Sequence, residues 1–485
     1  MNKNNVVVVV MDTARAEEFG EQTSFETYSE LANAGTHYTN SYASAPWTLP
    51  SHAALFTATY SSRHGAHAGH KHLNEDLTRL SEAFSQSGYQ TVGFSNNTWV
   101  SGEFGFQRGF DNFLKGWQYI QSENDLSDIA REKEGLNQVL AAMPRIIQGN
   151  PIVNVANTVY GKFIHKQSDY GANRTNSRFK KWLSNRETEQ PFFTFINYLE
   201  PHLEYQPPKA HAERYLPEDV PYEEALSISQ DAWAYISGKN SLDERDFKIL
   251  KSLYRAEIAY VDDRINELQT MLQEAGEWED TVFVITGDHG ENIGDHGFMD
   301  HQYCLYDTLL HVPLVIHGGE FTGGDTVNDL VQLTDLGPTL LDAAGIDAPK
   351  FREQAQGRSL HPDANTSDRE FAFAEYMAPQ PSMEALEQRV GTLPESVREY
   401  DRSLRVVRTE KWKLIRGSDG LIELYNVDDD PKETENVADE NPDQVSTLES
   451  KLDEWLASFE HAENDKEVSM REQTKQRLED LGYIQ

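Results

Sequence analysis

The chain has 485 residues, 80 Asp+Glu against 43 Lys+Arg, a formal net charge of −37, and 38% hydrophobic with 11% aromatic content. That length suffices for two or three domain-sized units, or for one large α/β domain carrying a smaller one, and the aromatic content excludes general disorder. The charge repels phosphate backbones and anionic lipid heads over the whole surface, and no basic patch offsets it, so nucleic-acid and membrane-surface binding are excluded as functions. The acidic residues are scattered and form no single tail. This is the pattern of a protein kept hydrated at very high salt, where screening shrinks to about 3 Å near 1 M, and a halophilic protein is expected. A single cysteine, Cys304, excludes an intramolecular disulfide and a cysteine-rich metal cluster. The apolar run that starts at Val6 is too short to span a membrane and lacks a cleavage site, so a cytoplasmic protein is expected.

In chain order, the first element is that run. Residues 6–10 are all valine, as in a parallel strand buried on both faces of a sheet. It runs into Asp12, and in open α/β sheets ligands sit beyond the carboxyl ends of strands, so Asp12 is a metal-ligand or catalytic candidate. A helix is expected at 77–88. A second strand at 191–199 leads into Glu200-Pro201-His202. A long helix at 246–275 precedes a third strand at 281–286, which ends in Gly287-Asp288-His289-Gly290-Glu291. Another strand at 312–317 and a helix at 335–344 complete an alternation that predicts a parallel sheet with helices on both faces. Residues 115–185 and 205–248 are polar, helix-prone and free of strand patterns, and are read as insertions near the sheet's carboxyl edge that shape substrate access. After Gly357 the character changes. Short alternating runs at 404–408, 411–416 and 421–425, a Ser418-Asp419-Gly420 turn and a helix at 444–459 predict a small antiparallel sheet with a packed helix. Residues 461–485 are expected to be a charged terminal helix or tail. The boundaries implied are a catalytic domain at 1–360 and a C-terminal α+β subdomain at 361–485.

The chemistry concentrates around Thr48-Leu49-Pro50-Ser51-His52. Proline loses no hydrogen bond in the first turn, so a helix is expected to start at about Leu49–Pro50 with Thr48 at its N-terminus. There, free N–H groups and the positive dipole end stabilise an alkoxide or a bound oxyanion. Thr48 also suits a plain N-cap. A second concentration, His64, His67, His70 and His72 in a Gly/Ala loop, reads either as a pocket wall or further metal site, or as structure alone. No clear second-metal set stands out beyond it.

Asp12-Thr13 after the first strand, Thr48-Leu49-Pro50-Ser51-His52 opening a helix, Gly287-Asp288-His289-Gly290-Glu291, and Leu424-Tyr425-Asn426 followed by Asp430-Pro431-Lys432-Glu433 occur in that order. In these motifs the chain, from about residue 5 to 460, resembles the sulfatase branch of the alkaline phosphatase superfamily. The resemblance implies an alkaline-phosphatase-like α/β sandwich with a mostly parallel sheet. It implies one divalent metal ion, Ca²⁺, Mg²⁺, Mn²⁺ or Zn²⁺, held by Asp12, Asp288 and His289, with Thr48 as nucleophile and ligand. It further implies that His202 and His301, the latter aligning with a family lysine, bind the oxyanion or protonate the leaving group. His52 stands where the family has a catalytic arginine.

The chain departs from that pattern at several positions. Thr13 replaces a second aspartate, and Ser95-Asn96-Asn97-Thr98-Trp99 stands where a Gly-Lys-Trp-His segment would supply cations. Sulfatases oxidise a cysteine or serine to formylglycine, whereas Thr48 carries a methyl on Cβ and cannot yield that aldehyde. Threonine nucleophiles do occur in the superfamily's phosphodiesterases and phosphoglycerol transferases. Three functions remain open: a phosphodiester or phosphonate ester hydrolase or transferase using Thr48; sulfate-ester hydrolysis without formylglycine; and a catalytically silent anion- or glycan-binding homologue. Small-molecule, glycan or lipid-head-group esters are the expected substrates, with a role in making or trimming surface polysaccharide among them.

Overall fold

A computed structural model describes residues 4–20, 24–118, 171–187 and 189–462. Its strands in the first part of the chain are β1 (Asn5–Met11), β2 (Thr36–Tyr38), β3 (Ser41–Tyr42), β4 (Gln90–Ser95), β5 (Asn112–Lys115), β6 (Phe192–Tyr198), β7 (Thr281–Gly287) and β8 (Asn292–Ile293). Then follow β9 (Met299–Asp300), β10 (Leu314–His317), β11 (Asp325–Val327), β12 (Val331–Gln332), β13 (Ala372–Tyr376), β14 (Leu404–Arg408), β15 (Trp412–Gly417) and β16 (Ile422–Asn426).

The valine run explains the centre of the molecule. With no polar side chain to turn toward water, β1 is buried along its whole length, flanked by β6 and β7 and parallel to both. The eight-stranded sheet has the order β11-β2-β10-β7-β1-β6-β4-β5. Its carboxyl edge therefore gathers the residues that follow β1, β7, β6 and β4 into one region. Minor pairs β12-β3 and β8-β9 flank it.

The strand expected at 312–317 is the exception to the parallel pattern. It covers Leu314–His317 and runs antiparallel to both β7 and β2. Leu314 lies opposite Thr286, so β10 starts where β7 finishes. Residues 288–313 never cross back to the amino edge, and the next strand has no choice but to return.

The helices fall close to expectation, at Leu80–Gln86, Glu244–Glu274 and Leu336–Ala343. The long helix begins early because Asp243 accepts from the Asp246 N–H while Asp246 accepts from the Asp243 N–H, a reciprocal cap. Short helices Lys209–Tyr215, Tyr222–Ala225 and Ala232–Ile236 occupy the second expected insertion. Of the first insertion, residues 119–170 lie outside the described residues; Ala172–Ser184 is helical.

The C-terminal sheet has four strands, β13-β14-β15-β16, all antiparallel. Its first strand, β13, was not expected. Helix Pro442–Leu456 covers this sheet through Leu448 and Leu452, which pack with Tyr60, Phe373, Val407, Leu414 and Leu424. The expected terminal helix or tail lies outside the described residues from position 463 onward.

Candidate active site

Asp12 and Asp288 stand immediately after the adjacent strands β1 and β7, so strand pairing alone brings their carboxylates together. His289 follows in the same turn, and Gly290 lets that turn close: a Cβ there would lie 2.0 Å from the Thr308 carbonyl oxygen. The Thr13 N–H, in a left-handed residue with φ 64°, donates to Asp288 Oδ1 at 3.1 Å.

Thr48 is the first residue of helix Thr48–Thr57, with Trp47 as the extended residue before it. The cap position thus falls on Trp47, which makes no side-chain cap hydrogen bond, and Thr48 is not the N-cap. The hydroxyl instead faces the carboxylates: Thr48 Oγ1 lies 3.3 Å from His289 Nε2 and accepts from Asn97 Nδ2 at 3.3 Å. The helix is fixed to β7 at two points. Ser51 Oγ donates to the Asp288 carbonyl oxygen at 2.5 Å, and His52 Nδ1 lies 2.9 Å from the Thr48 carbonyl oxygen and 3.3 Å from Asp288 Oδ2.

Asp12, Thr48, His52, Asp288 and His289 are fully buried, at 0% exposure. Asp12 Oδ1 and Asp288 Oδ2 accept no hydrogen bond, yet lie 3.9 and 3.4 Å from His289 Nε2. Two buried acceptors without a donor, aimed at one imidazole nitrogen, are costly unless a cation completes them. One ligand atom from each of Asp12, Asp288 and His289 lies within 4.8 Å of the others. Carboxylate oxygens with one imidazole fit a divalent cation. Burial and the neighbouring Asp288 raise Asp12 well above the usual carboxylate range, while burial lowers His289 to about 3, leaving it neutral as a ligand must be.

His202 and His301 form the adjoining wall. Their rings are 5.2 Å apart, and the His301 ring is 4.6 Å from that of His289. His301 Nδ1 meets Asp300 Oδ1 at 2.5 Å and Glu291 Oε1 at 3.1 Å. Burial opposes charge on His301, but those two acids raise it well above the usual imidazole range. Burial keeps His202 below that range.

Each expected site residue therefore reaches one region. His52 was expected to stand where the family has its motif arginine. Its ring lies edge-on to Phe106 and Phe195, and Nδ1 turns to the Thr48 carbonyl oxygen and the Asp288 carboxylate.

Sequence reasoning missed Asn97, Asn197, Glu291 and Asp300. Asn97 Nδ2 donates to Asp12 Oδ2 at 2.7 Å and Asn197 Nδ2 to the same oxygen at 3.4 Å. Both lie at carboxyl ends, of β4 and β6, and that position is the signal that could have found them.

The sulfatase sequence family matches residues 4–346. Arylsulfatase K of Bos taurus is 25% identical over 452 residues, covering 86% of this chain and 74% of that one. Among solved structures, the phosphonate monoester hydrolase of Agrobacterium radiobacter superposes with a TM-score of 0.66 at 20% identity, covering 94% of this chain and 95% of that one. A protein solved with its substrate D-glucosamine-2-N,6-O-disulfate superposes with a TM-score of 0.67 at 18% identity, covering 96% of this chain and 100% of that one. The family match spans well over half the sequence, and the chain belongs to the sulfatase family of the alkaline-phosphatase-like superfamily, whose members are metal-dependent ester hydrolases.

Proposed function

We propose that this chain hydrolyses or transfers a phosphodiester, phosphonate or sulfate ester, with Thr48 as the nucleophile. The observation that carries the reading is the position of Thr48 Oγ1, at a helix N-terminus, 3.3 Å from His289 Nε2 and bonded to Asn97, beside two carboxylate oxygens that accept no hydrogen bond. A divalent cation held by Asp12, Asp288 and His289 would supply Lewis acidity there, lowering the hydroxyl pKa and neutralising charge on the ester oxygens.

The chain's own residues do the rest. Asn97 donates to both Asp12 and Thr48 and holds the hydroxyl beside the Asp12 carboxylate. The helix N-terminus favours the developing negative charge on Oγ1. Thr48 Oγ1 forms the new bond to phosphorus or sulfur as the bond to the leaving alkoxide breaks. His301, held protonated between Asp300 and Glu291, presents positive charge to the ester oxygens, and the His202–His301 wall supplies the proton for the leaving oxygen. Water, or a second alcohol, then attacks the threonine ester and restores the hydroxyl.

A phosphorus ester is favoured over sulfate because Thr48 cannot form the formylglycine aldehyde, and a threonyl phosphate resolves by attack at phosphorus. Membership of the sulfatase family and similarity to arylsulfatases favour sulfate as the second reading. The deciding experiment is turnover of matched p-nitrophenyl sulfate, phosphate, phosphodiester and phosphonate esters in multi-molar KCl with several divalent metals, wild type against Thr48→Ala. Phosphodiester or phosphonate turnover lost in the variant supports the proposal. Sulfate turnover that survives the variant refutes Thr48 as nucleophile. Absence of a tightly bound cation, with no effect of Asp288→Ala, points to the silent binding homologue.

The net charge of −37 supports a high-salt, intracellular setting. In that setting thermal stability rises with KCl concentration; a stability that falls with KCl refutes it. Glycan or head-group esters are the substrate classes proposed, a sulfated sugar being the substrate in one structural relative.

A further inference from the structure

The dense histidine run carries no further site. His64 Nδ1 accepts from the Ala66 N–H and His67 Nδ1 from the Gly69 N–H, each at 3.1 Å, while His70 and His72 Nδ1 pair with the Gly65 and Leu73 carbonyls. These nitrogens close turns.

The long helix Glu244–Glu274 offers more. Lys248, Lys251 and Arg255, spaced three and four residues apart, share one of its faces and line a cavity of about 540 Å³. The opposite wall comes from Ile293, Gly294 and Asp295, at and just past the end of β8. In a chain with 80 Asp+Glu against 43 Lys+Arg, this lining inverts the ratio, its three cations facing two acids, Glu244 and Asp295.

The acids present do not use up the positive charge. Asp295 is shared: Lys251 Nζ lies 2.9 Å from one carboxylate oxygen and Arg15 Nη1 2.8 Å from the other. Glu18 engages Arg255 through Nε at 2.7 Å. Lys248, exposed, forms no ion pair among the described residues. Tyr215, Pro217 and Phe247 add apolar surface to the same lining. Phe247 is held in place by β8: a Cβ at Gly294 would come within 2.8 Å of its ring, so the strand end rests on the aromatic face.

We propose that this cavity binds an anionic sugar unit of a glycan, sulfated or carboxylated, as a contact separate from the ester-cleaving site. Half-buried rings offer a surface for the C–H face of a sugar, and clustered Lys and Arg make charge-assisted hydrogen bonds to its anionic substituents. At the high salt proposed for this chain, screening shrinks to about 3 Å near 1 M, so the overall charge repels little beyond contact and the residues lining the cavity decide. The cavity is tied to the catalytic edge of the sheet, since Arg15 Nη1 also donates to the Glu291 carbonyl oxygen at 3.1 Å. The choice of a glycan rests on the substrate class proposed above; the site itself needs neither Thr48 nor turnover.

The test is calorimetric titration of full-length protein with a heparin-derived tetrasaccharide, its desulfated but still carboxylated form, and inorganic sulfate, at the lowest KCl that keeps the protein folded. Wild type is compared with Lys248→Glu, Lys248→Arg and Lys248→Ala/Lys251→Met, each checked by thermal melt. The tetrasaccharide is expected to bind wild type and Lys248→Arg alike and Lys248→Glu about tenfold more weakly or worse, while turnover of p-nitrophenyl esters by Lys248→Glu stays at the wild-type level. Binding kept by the desulfated form assigns the contact to carboxylates, and binding lost with desulfation assigns it to sulfates. No binding by wild type, or equal binding by wild type and both charge-removing variants, overturns the site. Inorganic sulfate that displaces the tetrasaccharide at equal concentration overturns the sugar assignment. Thr48→Ala separates this from the nucleophile assignment: it keeps wild-type affinity whether or not turnover survives.

Discussion

Two buried charge clusters meet at the short helix Asp307–Leu310, one containing Asp307 itself and the other joined to it by the Gly290 N–H, which donates to the Leu309 carbonyl oxygen, and they are built differently. In the structural one, every acid meets a cation. Lys413, fully buried, lies 2.7 Å from Asp307 and 2.6 Å from Glu433, and Arg408 reaches Asp307 at 3.2 Å. Lys413 and Arg408 belong to the C-terminal sheet, so this cluster ties that sheet to the segment that leaves the active site. In the cation-ready cluster, Asp12 and Asp288 meet only amides, imidazoles and backbone N–H groups, and one oxygen of each accepts nothing. Burying a charge without its partner costs several kcal/mol. One cluster's carboxylates are therefore matched by lysine and arginine from the chain, while those of the other meet neither.

That contrast can be broken or sharpened by substitution. The largest effect is expected from Thr48→Ala, which lowers ester turnover by about 10³-fold or more, about 4 kcal/mol, with little change in unfolding temperature; a p-nitrophenyl ester assay beside a thermal melt reads both. Lys413→Met does the reverse. It strands Asp307 and Glu433 and destabilises the fold by about 3–5 kcal/mol in urea unfolding; a variant as stable as wild type would erase the distinction between the clusters. Chelation is expected to lower the melting temperature, and restoring metal at a hundred times its Kd to return about 2.7 kcal/mol in wild type and less in Asp288→Asn. Asn97→Ala removes one hydrogen bond to Asp12 and is expected to weaken metal affinity about 10–100-fold, measured by competition with a fluorescent chelator.

The parts of this design visible in the sequence are those carried by local pattern. Five consecutive valines state a doubly buried strand, and Pro50 states where a helix opens. Asp12, Asp288 and His289 were legible because each follows such a strand directly. The antiparallel sense of β10 was not, since Leu314–His317 has the same apolar pattern whichever way it runs. Strand β13 was hidden by Glu375, an acid that reads as exposed but is buried against the Ser62 N–H at 2.7 Å and Arg405 at 3.3 Å. Asn97, Asn197 and Asp300 are common residue types in unremarkable contexts. Their roles exist only after β4, β6 and β9 bring their ends together.

The clasp between the Thr48 helix and β7 has a consequence for how such a site changes over time. Ser51 bonds to the Asp288 backbone and the His52 ring stands 3.3 Å from its carboxylate, and neither depends on the side chain at position 48. Whatever residue occupies that position is delivered to the same spot, in register with the acids, by its neighbours. Position 48 thus behaves as an interchangeable socket. A single codon there exchanges an alcohol for a thiol while the frame around it stays as it is.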